Sequence, residues 1–183
     1  MVALLDIIFS SIFGGLLLLQ VYAMQNEMIE ANHVSNLVGS VQHNSVDLRD
    51  MLTRDLHTAG LSVPEGTPVF LHADSLLLEF RGDLDQDGTW NTIRYEIDDD
   101  ADMTDNPEDH LLYRQIDGGE AQAYAFGITG GGWSCLDAGG APAATLDDIR
   151  QVAFRFTFES TFGYDNRYPG AYLRNRIALK NMW

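Results

Sequence analysis

The first sixty residues constrain this chain more than any other feature. From Val2 to Leu19 the run VALLDIIFSSIFGGLLLL is apolar apart from Asp6, two serines and two glycines. That is just long enough to cross a bilayer core as a helix. A secretory signal would open on Lys or Arg and close on a small-residue cleavage site. Here the first Lys or Arg is Arg49, and the apolar run flows directly into QVYAMQNEMIEANHVSNLVG, so an uncleaved anchoring helix is expected. Helix-compatible sequence continues without proline from Gln20 to Ala59. Val34, Leu37, Val38, Val41, Leu48, Met51, Leu52 and Leu56 recur at spacings of three, four and seven and mark one face. Asn36, His43, Asp47, Asp50 and Arg54 fall on the other side. Gly60 supplies a C-terminal cap, and Pro64 prevents continuation. The pattern predicts one helix from about residue 3 to 59, roughly 85 Å long at 1.5 Å per residue. It is apolar over residues 2–24 and amphipathic over 25–59.

The amphipathic half can pack on a sheet, whereas the apolar half needs lipid or copies of itself. Asp6 sharpens this division, because an acid inside a membrane segment costs roughly a few kcal/mol unless partnered. The run holds no Lys, Arg or His. In an assembly the nearest positive group is therefore the α-amino terminus of another copy, at Met1 in this numbering. Gly14 and Gly15 each carry roughly 1 kcal/mol of helix cost relative to Ala, and regular hydrogen bonding is expected to lapse there when many such helices pack along one axis. Met1, Asp6, Gly14 and Gly15 are the candidate assembly residues.

After Pro64 the hydrophobic period becomes two. PVFLH, DSLLLEFRGDL, TWNTIRYEI, HLLYRQI and YLRNRIALK all read as strands. RQVAFRFTFE is the clearest, with Val152, Phe154, Phe156 and Phe158 on one face and Arg155, Thr157 and Glu159 on the other. One long helix followed by several short strands implies an α+β fold, an antiparallel sheet packed on the helix's apolar stripe. The expected division is a helix over 1–59 and a β-rich head over 60–183. At 183 residues the chain has room for one domain plus an appendage.

Composition excludes several functions. A net charge of −16 and a pI near 4.3 argue against nucleic-acid binding, which needs a surplus of Lys and Arg. Cys135 is the only cysteine, so neither an intramolecular disulfide nor a thiolate metal cluster can form. In its setting, GGGWSCLDAGG, it reads as a small buried or half-buried residue. His33, His43, His57, His72 and His110 show no paired-ligand spacing. Gly130, Gly131 and Gly132 lack the Lys-Ser or Lys-Thr of a phosphate loop, and Ser134 lacks a Gly-x-Ser-x-Gly setting. No catalytic constellation stands out, and the chain is not expected to be an enzyme.

The most chemical-looking segment is DLDQDGTWN. Asp83, Asp85, Asp87, a tight turn at Gly88 and the carbonyl of Thr89 reproduce the front half of an EF-hand loop, with Asn91 as a further oxygen. The twelfth position is Arg94 rather than Glu, which excludes a genuine EF-hand. Asp-Gly between strands is also a common hairpin turn that needs no metal. Two readings follow, Ca²⁺ held by Asp83, Asp85, Asp87, Thr89 and Asn91, or a metal-free turn. The acids Asp98, Asp99, Asp100, Asp102, Asp105, Glu108 and Asp109 either add a ligand or form a solvated loop.

ALLDIIFSSIFGGLLLL resembles the start of mature type IV pilins, which pass through a glutamate into an apolar helix. VSNLVGSVQHNSVDLRDMLTRDLHTAGL resembles, more specifically, the helix end of W-type minor pilins and J-type type II secretion pseudopilins, where an arginine-aspartate pair precedes a closing Ala-Gly. Arg54, Asp55, Ala59 and Gly60 carry that match. YLRNRIALKNMW resembles their closing strand through Leu173, Arg174, Asn175 and Arg176. Two departures stand out: the acid is Asp at position six where the family places Glu at five, and no short basic leader ending in glycine precedes the run. Processing before Val2 would restore the spacing, while a start at Met1 would leave it one residue out. The resemblance implies a structural subunit of a pilus-like filament or pseudopilus. Its partners would be copies of itself or other pilins, and its location the cytoplasmic membrane before assembly, then an extracellular filament or periplasmic pseudopilus. The competing reading is a membrane-anchored, calcium-dependent adhesin or binding module that acts without polymerising.

Overall fold

The computed structural model of the chain describes residues 2–98, 104–163 and 167–182. One helix, α1, runs unbroken from Val2 to Thr58, through Gly14 and Gly15. Among the described residues seven strands follow: β1 (Phe70–Ala73), β2 (Leu77–Gly82), β3 (Asn91–Ile97), β4 (His110–Ile116), β5 (Gln122–Leu136), β6 (Gln151–Glu159) and β7 (Gly170–Ala178). They form one sheet in sequential order, every neighbouring pair antiparallel. The fold is α+β, a long N-terminal apolar helix with an antiparallel sheet, which is a type IV pilin-like architecture. Two compact units make up the chain, Met1–Leu37 and Val38–Trp183. The division falls inside the helix because its last turns are part of the sheet's core.

Within the second unit the helix stripe does what its spacing predicts. Val41, Leu48, Met51, Leu52 and Leu56 are buried, and Val38 is half-buried. His43, Asp47, Asp50 and Arg54 on the opposite side are exposed. The sheet answers with Leu78, Phe80, Ile93 and Tyr95 and with all four residues of the β6 face, Val152, Phe154, Phe156 and Phe158. Each such side chain contributes about 1.5–3 kcal/mol on leaving water. Trp133 sits in the centre, its ring edge-on to Phe154 and Phe156 at centroid distances of 6.0 and 5.2 Å, a favoured quadrupole arrangement.

The helix ends where glycine was expected to end it. Gly60 has φ +80°, and a Cβ there would run into the backbone carbonyl of Asn181. The Asn181 side chain donates to the carbonyls of His57 (3.1 Å) and Ala59 (3.3 Å). Carbonyls left orphaned at a helix C-terminus thus find a partner in the C-terminal segment.

One strand has no counterpart in the sequence reading. β5 covers QAYAFGITGGGWSCL, where glycines interrupt the alternation. It pairs with β4 through Gln122–Ile128 and with β6 through Ile128–Leu136. Its glycines are there for close approach. A Cβ on Gly131 (φ +117°) would collide with the carbonyl of Arg155, and one on Gly132 (φ +151°) with the carbonyl of Ser75. Ser75, in the β1–β2 turn, accepts a hydrogen bond from the Trp133 N–H at 3.1 Å. Gly132→Ala is therefore expected to cost more than ~1 kcal/mol, read as a lower denaturant midpoint at unchanged slope. A parental midpoint would mean that the turn tolerates displacement from β5.

Candidate functional site

In the first unit, the candidate site is the helix surface itself. The most apolar 18-residue window of Leu4–Thr58 has a mean hydropathy of 2.0, and no part of it is buried within the chain. The large apolar side chains between Leu4 and Leu19 are 45–72 % exposed. So large an apolar surface marks a membrane or protein contact. Asp6 lies within it and is exposed. Beside Gly14 and Gly15 there is open space where a Cβ would stand, so a neighbouring backbone can approach closely there. Met1 lies outside the described residues.

In the second unit, the helix meets the sheet through a buried ion pair. Asp55 is 2 % exposed. Its Oδ2 accepts from the Tyr95 hydroxyl (2.5 Å) and from Arg114 Nε (2.8 Å), and an Arg114 terminal nitrogen lies 2.8 Å away. Burial, and then the Asp55 carboxylate, raise the Tyr95 phenol well above its ordinary value, with Arg114 opposing. The arginine-aspartate pair read from the sequence separates in space. Arg54 points to solvent, while Asp55 takes its cation from β4, some sixty residues on.

The DxDxDG loop joins β2 to β3. Gln86 (φ +61°) and Gly88 (φ +91°) turn the backbone. Asp83, 2 % exposed, accepts at Oδ2 from the Ser62 hydroxyl (2.7 Å) and Gly88 N–H (2.9 Å), and at Oδ1 from Asp87 N–H (3.1 Å). Chiefly through the Ser62 hydroxyl, against desolvation and helped by loop N–H groups, its carboxyl is held below the usual value. The stability this gives is present above about pH 4 and is lost as pH falls through the lowered pKa. Carboxylate oxygens of Asp83, Asp85 and Asp87 lie within 4.8 Å of one another, with Asp85 and Asp87 exposed. Thr89 donates its N–H to Asp87. The Asn91 side chain closes the hairpin, accepting from Leu84 N–H (3.4 Å) and donating to Asp117 (2.9 Å).

The second acidic stretch is only partly a solvated loop. Asp99, Asp100 and Asp102 lie outside the described residues. Asp109 is buried, accepting from the Gly127 N–H at the β5 bulge and from the Thr104 hydroxyl at 2.8 Å. Asn106, also buried, donates to Glu159 and to the Ser160 carbonyl. This segment anchors the sheet, and among the described residues only Asp83, Asp85 and Asp87 form a carboxylate group close enough to share a cation. Cys135 lies half-buried in β5, and burial pushes its thiol up to about 11, so it is no nucleophile at neutral pH. His43 pairs with Asp47 and His72 with Asp74, both at the surface. His110 meets the Asp98 carbonyl.

Sequence reading missed a basic groove. Arg155 on β6 and Arg174 and Arg176 on β7 line a cavity of about 440 Å³ with Ser75, Gly132 and Ser134. The period-two pattern placed Arg155 on the outer face, but only the β6–β7 register brings the three arginines together. No family model, curated protein or solved structure matches the chain.

Proposed function

We propose that this chain is a structural subunit of a type IV pilus-like filament or pseudopilus, which polymerises through its N-terminal helix and leaves its acidic head exposed. The observation that carries the reading is the wholly uncovered apolar surface of Leu4–Leu19 with one carboxylate, Asp6, inside it. Burial of that surface is worth about 25 cal/mol per Å², and lipid can supply it before assembly and like helices afterwards. A plain anchor gains nothing from Asp6, whereas a helix bundle gains a register mark. The resemblance to W-type and J-type subunits in the Arg54–Gly60 and Leu173–Arg176 segments favours a minor, capping or initiating position. Residence in the cytoplasmic membrane and then in an extracellular filament or periplasmic pseudopilus follows from the same reading. Electron microscopy of the purified full chain after detergent removal tests it. Helical filaments are expected, and dispersed particles under all conditions would overturn it.

A second reading is a membrane-tethered, calcium-dependent binding module or adhesin, favoured by the three clustered aspartates of the β2–β3 loop. Ca²⁺ there would relieve their mutual repulsion and, binding only the folded head, would stabilise it by mass action. Millimolar Ca²⁺ is then expected to raise the Tm of the head by roughly 5–15 °C over EDTA, as a hundredfold excess over Kd is worth about 2.7 kcal/mol. Superimposable melts in the two buffers would leave the metal-free turn.

A further inference from the structure

Arg155 and Arg174 stand directly opposite each other on β6 and β7, and Arg176 follows two residues on. Like charges so placed destabilise a sheet. All three are exposed, and among the described residues none forms an ion pair with a carboxylate. A chain with 27 acids and 11 Lys and Arg thus leaves three arginines in one groove unneutralised. Asp85 and Asp87 have the opposite imbalance, being exposed beside Asp83 and, among the described residues, in no ion pair with Lys, Arg or His. The two features lie at opposite ends of β2. The groove reaches Ser75, just before Leu77, and the aspartate loop begins just after Gly82.

We propose that the Arg155–Arg174–Arg176 groove is the head-to-head docking site of the assembly and receives the Asp85 and Asp87 carboxylates of a second copy. This rests on the filament reading above. The chain carries a net charge of −16, most of it in the head, and heads of like charge repel one another, so copies held side by side by their helices touch best where a basic groove meets an acidic loop. The groove cannot pair with itself, since arginine would face arginine. The contact is therefore heterologous, using different patches on the two copies, and such contacts propagate into open helical arrays unless the rotation closes a ring. Free nucleic acid would meet the same arginines but also the surrounding negative field.

Charge exchange in the full chain tests the pairing, with filament yield measured by sedimentation and electron microscopy in EDTA at low salt. Arg155→Glu with Arg174→Glu is expected to lower yield about tenfold or more, because it sets like charges across the contact. Asp85→Arg with Asp87→Arg should do the same. The chain carrying all four substitutions should regain most of the parental yield, a rescue that a folding defect would not produce. Parental yield from either double variant, or no recovery in the quadruple variant, overturns the pairing while leaving the filament reading standing. A parent chain that forms no filament removes both.

Discussion

Asp6→Ala is expected to leave membrane insertion and head folding unchanged and to reduce filament yield at least about tenfold. Asp6 is the only formally charged side chain between Val2 and Asn26. In a bundle of apolar helices a carboxylate persists only if a cation or good donors reach it. The stretch offers no Lys, Arg or His, so in the proposed filament the partner would be the α-amino group at the start of another copy, brought alongside by the stagger between subunits. The pair would neutralise the buried charge and fix the register of each addition. Asp6→Glu keeps the charge on a longer arm and should retain more of the yield. Equal yield from Asp6→Ala and the parent would remove any assembly role for the carboxylate and leave a plain anchor.

The largest effect on the head is expected from Asp55→Ala. Its carboxylate takes bonds from Tyr95 and Arg114 at the junction of helix and sheet. Removing it leaves a half-buried guanidinium and a buried hydroxyl without their partner, a loss of about 3–5 kcal/mol, measured by chemical denaturation of the detergent-solubilised chain. Arg114→Met in the Asp55→Ala background should recover part of this, because the uncompensated charge is then gone. A change below ~1 kcal/mol in Asp55→Ala would show that water replaces the carboxylate. The same junction sets an alkaline limit. Because the folded state raises the Tyr95 pKa, it holds that proton more tightly than the unfolded chain does. The stability this provides is complete below about pH 10, the unfolded value. It falls as pH rises further, and Tyr95→Phe should flatten that fall.

Gly14 and Gly15 connect to the first of these effects. In the single chain the helix passes through them unbroken, as local propensity alone permits. The expected lapse of helical bonding belongs to a packed filament, and a filament map with continuous i to i−4 bonds over residues 8–24 would refute it.

The helix, its buried stripe and most strands were legible in the sequence because each is set by a short-range period. Spacings of three and four fix which side of residues 34–56 is apolar, and alternation fixes the faces of β3, β6 and β7. The helix stop was legible because Gly60 needs φ > 0, which only the backbone at that residue decides. The apolar surface around Asp6 was legible for a related reason: no other part of the chain has to be known to see that it lacks a partner. Tertiary structure alone decided the rest. β5 carries no alternation, because its glycines answer to the carbonyls of Ser75 and Arg155, distant in sequence and pressed against it. Asp55 reads as half of a local pair with Arg54 until the fold gives it Arg114 and Tyr95. Asp109 reads as one more solvated acid until the β5 bulge presents the Gly127 N–H. The arginine groove exists only in the register of β6 against β7. Periodicity records which face of an element is apolar, but the identity of a charged group's partner is a long-range contact, and a single sequence holds no local trace of it.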